Sequence, residues 1–156
     1  MAIDTARIAD IPRLVELRLA YLMEDGGVSP EEAARIQRDL PDYLRRHLDR
    51  DMIGFVAREG DDIPACALLL LAEMPMSPAF INGKTGTVLN VYTKPEHRGR
   101  GYARRLMERL MDEAKRLEIS RLELKATEMG YELYQSLGFE DGASGHRLMQ
   151  WRPAKR

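Results

Sequence analysis

The chain has 156 residues, 44% of them hydrophobic and 31% charged, which suits one globular domain, 1–156, built on one core. A formal net charge of −1 excludes the global basic field that drives non-specific binding to nucleic acid. The longest apolar run, 65–72, falls far short of the roughly 20 residues that a membrane-spanning helix needs, so no membrane partner is expected.

The opening residues, MAIDTARIAD, have neither a basic segment nor an apolar core, so no secretory signal is expected. Residues 3–7 suit a short first strand. Asp10-Ile11-Pro12 predicts a helix start, with Asp10 as the capping side chain, and Ile11, Leu14, Val15, Leu19 and Leu22 recur at helical spacing. After the turn at 24–28, Ser29 and Glu32 have capping-box spacing around Pro30, which predicts a second helix. Pro41 is expected to break or kink it before the pattern resumes over 42–49.

The period then changes. Apolar runs at 52–57 and 64–73, separated by Gly60-Asp61-Asp62, predict a hairpin, and 87–93 a further long strand. Cys66, the single cysteine, lies in the second of these runs. No internal disulfide is possible, a buried thiol is expected, and a reducing, cytoplasmic location is the simplest reading. Ala103, Leu106, Met107, Leu110, Ala114 and Leu117 form a helical stripe. Residues 120–126 alternate as a strand does, 128–137 suit a short helix closed by Gly138, and 139–140 with 147–151 suggest a last hairpin. The order β-α-α-β-β-β-α-β-α-β-β describes an α/β chain: a mixed sheet with helices on both faces, the third helix crossing over between parallel neighbours.

The chemistry concentrates in residues 88–103, VLNVYTKPEHRGRGYA. An apolar strand enters a Gly/Arg turn that opens a helix. Backbone N–H groups in a first helical turn have no intrahelical partner, glycine lets an anion approach them, and Arg98 and Arg100 add charge and forked donors. This is a place to hold phosphate. Other patterns fail. Gly83-Lys84-Thr85 lacks the glycine a P-loop needs where Pro78 stands, His47, His97, His146 and Cys66 have no metal-ligand spacing, and no serine sits in G-x-S-x-G.

Arg98-Gly99-Arg100-Gly101-Tyr102-Ala103 matches R/Q-x-x-G-x-G/A, and Leu133-Tyr134-Gln135-Ser136-Leu137-Gly138-Phe139 matches LYxxxGF. In both segments, and in the order of its elements, the chain resembles the GNAT superfamily of acyl-CoA N-acyltransferases. The resemblance implies acetyl-CoA as acyl donor, with its pyrophosphate on the backbone of Arg98, Gly99, Arg100, Gly101, Tyr102 and Ala103. It implies a cleft where strand 4 splays from strand 5, the pantetheine arm lying along Val91, Tyr92 and Thr93. An N–H near Val91 or Tyr92 would polarise the thioester carbonyl. Thr127 stands where many relatives place a cofactor-binding asparagine, and Tyr134 matches the general acid that protonates the leaving thiolate.

The same resemblance implies an acceptor pocket lined by the turn between helices 1 and 2, the loop 74–86 and the last hairpin. Glu24, Asp25 and Glu73 are candidates to draw in a cationic amine, and strand alternation is expected to turn Asn90 and Tyr92 towards the acceptor. Glu73, Glu128 or a water ordered by Asn90 are candidate bases, beside deprotonation through water alone. The expected activity is acetyl transfer to a primary amine of a small molecule by direct attack in a ternary complex. The alternatives are an acyl-CoA sensor without turnover, or acetylation of protein lysines or N-termini. A homodimer is a further expectation from the resemblance.

Overall fold

The structure is a computed structural model that describes residues 1–142 and 145–154. The chain divides into two compact units, Met1–Lys125 and Ala126–Arg156.

In the first unit, β1 (Ala2–Thr5) and a single 3₁₀ turn (Ile8–Asp10) lead into α1 (Ile11–Glu24) and α2 (Pro30–His47). Then come β2 (Met52–Glu59), β3 (Asp62–Glu73) and β4 (Lys84–Thr93). A second 3₁₀ turn (Pro95–His97) precedes α3 (Tyr102–Arg116) and β5 (Arg121–Glu123). The strands form one sheet in the order β1-β2-β3-β4-β5, antiparallel except for the parallel pair β4–β5 that α3 connects. The mixed sheet and its crossover follow the sequence expectation.

Both faces of the sheet are covered. Ile11, Leu14, Val15 and Leu17 of α1 and Leu44 of α2 pack with Val56, Cys66, Leu68 and Tyr92. Leu106, Met107 and Leu110 of α3, all fully buried, lie on the other face, where the Arg109 guanidinium stands 5.6 Å from the ring of Phe55. Phe55 and Val56 alternate between the two layers, as neighbours on a strand must. Covering both faces explains why β3 is an almost continuous apolar run.

Local chemistry corrects several expectations. Asp10 does not cap α1: its carboxylate accepts the Arg7 N–H at 2.8 Å and both Arg58 Nη groups at 2.9 and 2.7 Å. Ser29 and Glu32 do form the capping box of α2. Pro41 does not break that helix, which runs unbroken to His47. The carbonyl deprived of its i+4 donor belongs to the exposed Gln37, where water can meet it. β4 begins three residues before the expected Thr87, at Lys84, because the buried Thr85 joins the ladder and its Oγ1 donates to Ala72 O at 3.2 Å.

The second unit holds α4 (Tyr131–Ser136), shorter than 128–137 because Thr127 forms a turn ahead of it, both its O and its Oγ1 accepting the Gly130 N–H. Gly138 follows the helix at φ 101°, as a C-terminal glycine should. The expected last hairpin is not formed: 139–140 and 147–151 are not strands, and 143–144 of its turn lie outside the described residues. The Phe139 N–H closes the end of α4 on Tyr134 O, so Phe139 terminates a helix and does not begin a strand. Among the described residues no helix is long and apolar enough to cross a membrane.

Candidate functional site

The site begins with an irregularity in β4. Leu89 opposes Leu68, yet Tyr92 opposes Cys66, so β4 carries one extra residue between these pairs. Asn90 takes up the difference at φ 52°, a left-handed conformation that asparagine tolerates better than most residues. Its side chain turns into the α1 layer and is 5% exposed. There Oδ1 accepts from Arg18 Nη1 at 3.3 Å and Nδ2 lies 3.5 Å from Cys66 Sγ. Burial pushes the Cys66 thiol up to about 12, so it stays protonated and is no nucleophile.

Beyond the bulge, Lys94 N–H donates to Pro64 O at 2.9 Å. Alternation along the antiparallel ladder then turns the peptide groups of Tyr92 and Lys94 towards β3, and those of Val91 and Thr93 away from it. β5 pairs with β4 only at Thr85, Gly86 and Thr87. From Val88 onward that side of β4 has no strand partner among the described residues, which is the expected opening between strands 4 and 5. Of the Val91 and Tyr92 N–H groups, only that of Val91 faces the open side.

The open edge runs into the loop that starts α3. Gly99 and Gly101 have φ of 79° and 83°. A Cβ at either would meet nothing within 4 Å, so the space before them is open. The N–H groups of Gly99, Arg100, Gly101, Tyr102 and Ala103 donate to no protein acceptor among the described residues, and the first bond of the helix runs from Arg105 N to Gly101 O. Five free amides at the positive end of a 15-residue helix form an anion cradle. The buried Tyr102 anchors the helix start edge-on to His97, with ring centroids 6.0 Å apart. Arg100 is exposed and has no ion pair among the described residues.

Arg98 is placed differently from the expectation. Its Nε donates to Thr93 O at 2.9 Å, and its Nη2 to both oxygens of Glu24 at 2.8 and 2.9 Å. Its guanidinium stands 5.5 Å from the centroid of the Tyr92 ring. The Tyr92 hydroxyl also donates to Glu24. The Tyr92 hydrogen bond and the Arg98 guanidinium hold the Glu24 carboxyl below its ordinary range. Burial, then the Glu24 carboxylate, push the Tyr92 phenol up to about 12. Glu24 is therefore an ionised carboxylate already neutralised from within.

The other candidates lie apart. Glu73 is exposed at the end of β3 that pairs with Lys84. It stands seven residues along β3 from Cys66, the partner of Tyr92, or about 23 Å at strand rise, so the structure does not bring it to Glu24. In the second unit, Thr127 Oγ1 serves the turn before α4. Tyr134 stands on α4, its ring inclined at 66° to that of Phe139 with centroids 6.0 Å apart. Sequence reasoning missed Arg18, whose only sign is that it is a cation on a helix, and the pairing of Glu24 with Arg98.

Comparison with known proteins gives this geometry a context. A model of the Acetyltransferase (GNAT) family matches residues 13–139. Among solved structures, a predicted acetyltransferase of Clostridium acetobutylicum, crystallised with acetyl-CoA, is 29% identical with a TM-score of 0.83 and covers 95% of each chain. A GCN5-related N-acetyltransferase of Ralstonia eutropha JMP134 is also 29% identical, with a TM-score of 0.80, and covers 95% of this chain and 97% of that one. Among curated proteins no sequence matches.

Proposed function

Since the chain belongs to the GNAT family of acetyltransferases, we propose that it moves an acetyl group from acetyl-CoA to a primary amine of a small molecule, by direct attack in a ternary complex. The observation that carries this reading is the bulge-opened edge of β4 running straight into five unpartnered amides at the start of α3. An extended amide-bearing arm fits the edge, and a diphosphate fits the cradle. The Gly99 and Gly101 space that a Cβ would enter is open, as a close anion needs. The residues present therefore fit coenzyme A.

The bound thioester supplies an acyl group activated for attack. Val91 N–H, turned out of the ladder, is the donor for its carbonyl oxygen, where negative charge develops. Tyr134 is the proton donor to the departing sulfur, a role supported by the LYxxxGF match. Cys66 takes no part: a buried, protonated thiol favours direct attack over a covalent acyl-enzyme. The acceptor loses its proton to water, a reading favoured by the distance of Glu73 along β3 and the internal use of Asn90. Residues 1–156 act as one working domain in this proposal.

Calorimetry with acetyl-CoA and CoA, followed by thiol release over a panel of small amines, tests it. Saturable heat and amine-dependent thiol release are expected. Binding with no release for any amine would leave a silent acyl-CoA-binding protein, and no heat at millimolar ligand would remove the donor site altogether.

A further inference from the structure

Arg98 reaches back across the loop that it ends. Its Nε donates to the Thr93 carbonyl five residues earlier and closes 94–97 into a ring. The adjacent Nη2 is held by both oxygens of Glu24, and the guanidinium stands 5.5 Å from the centroid of the Tyr92 ring. These contacts occupy one edge of the group and neutralise its charge.

The start of the loop is held at Lys94, whose N–H donates to Pro64 O and whose Nζ donates to Asp62 Oδ1, both at 2.9 Å, and at His97, which lies edge-on to Tyr102. Two turn bonds, His97 N to Lys94 O at 2.9 Å and Arg98 N to Pro95 O at 3.3 Å, are followed by two glycines in left-handed conformations. The amides of 99–103 are held by no protein acceptor, yet they must converge on one point to bind an anion.

We propose that Arg98 is a positioning residue, a clasp across the loop with Glu24 as its counter-ion, and that the diphosphate is gripped by the amides of 99–103 and not by the Arg98 charge. The proposal rests on the reading of this loop as the acyl-CoA phosphate site. What the site needs from residue 98 is then its donor to Thr93 O. Glutamine carries such a donor at the same reach, on the nitrogen bonded to Cδ, and has no charge. The clasp also ends the open edge, because the Thr93 carbonyl, turned away from β3, is already taken.

Two uncharged double variants test the clasp. Glu24→Gln/Arg98→Gln removes both charges and keeps a donor at residue 98. Glu24→Gln/Arg98→Met keeps the bulk and removes the donor. CoA is titrated calorimetrically, and hydrogen exchange at the amides of 99–103 is followed without ligand. The glutamine pair is expected to bind CoA within about threefold of the unaltered chain, and the methionine pair about tenfold more weakly or worse, with faster exchange at 99–103. Equal loss in both overturns the proposal, since charge then grips the phosphate. No loss in either overturns it too, since the clasp then does nothing. Should the methionine pair fail to fold, a loss of about tenfold or more in the glutamine pair alone overturns it. If the unaltered chain binds no CoA, the acyl-CoA reading falls, and equal exchange in the two variants overturns the clasp by itself.

Discussion

Tyr134 is a phenol whose ring packs at 66° to that of Phe139, and a Cβ on Gly130 would come within 2.8 Å of it. Replacing it with phenylalanine keeps this packing and removes only the O–H. Tyr134→Phe is therefore expected to lower turnover by roughly 10²–10⁴, the usual worth of a positioned proton donor. The dissociation constant of acetyl-CoA, measured by calorimetry on the same protein, should change little, and equal turnover in the variant would remove Tyr134 from the chemistry. At this scale the sequence displays what is local. Gly99 and Gly101 are readable as an anion loop because their conformation and the helix start beside them follow from a few adjacent residues. The partner of Arg98 is not readable, since Glu24 lies 74 positions away and only the packing of α1 on β4 brings it there. The extra residue at Asn90 was not readable either, because a bulge shows only in the register of β4 against β3.

Among the elements, β1 and the turn that follows it are tied to β2 by Asp10 and Arg58, whose side chains are only 10% and 19% exposed. The Arg58 hydrogen bonds hold the Asp10 carboxyl below its ordinary value of 3.8. A depressed folded value means that this pair stabilises in full above 3.8 and loses its contribution as pH falls through the lower folded value. Asp10→Asn should cost roughly 3 kcal/mol at neutral pH, as removing one partner of a buried pair does. The gap between the variant and the unaltered chain should close as urea titrations are taken to acid pH, and a gap that stays constant would assign the effect to packing. Element type was readable wherever hydrophobic period decided it, as in α1, α3 and β3. Element ends were decided by polar detail. Asp10 turned to Arg58 and not to the helix, the exposed Gln37 carbonyl let Pro41 pass, and the Phe139 N–H closed α4 where a strand was expected.

For the whole molecule, the two-layered covering of the sheet could be read from the alternation of short amphipathic helices with apolar strands. Residues 126–156 are fewer than the roughly 40 that usually sustain a fold alone. One cooperative thermal transition is therefore expected for the entire chain, with calorimetric and van't Hoff enthalpies in agreement. Two resolved transitions would contradict the single domain 1–156. The kink at Asn90 has a consequence for solubility as well. Peptide groups left bare along a straight strand are a template on which another molecule can zip, the first step towards aggregates. Among the described residues no strand pairs with one side of 88–92, but the left-handed turn in their middle spoils the even spacing such zipping requires. The stretch can thus welcome a short guest while refusing a long, regular one.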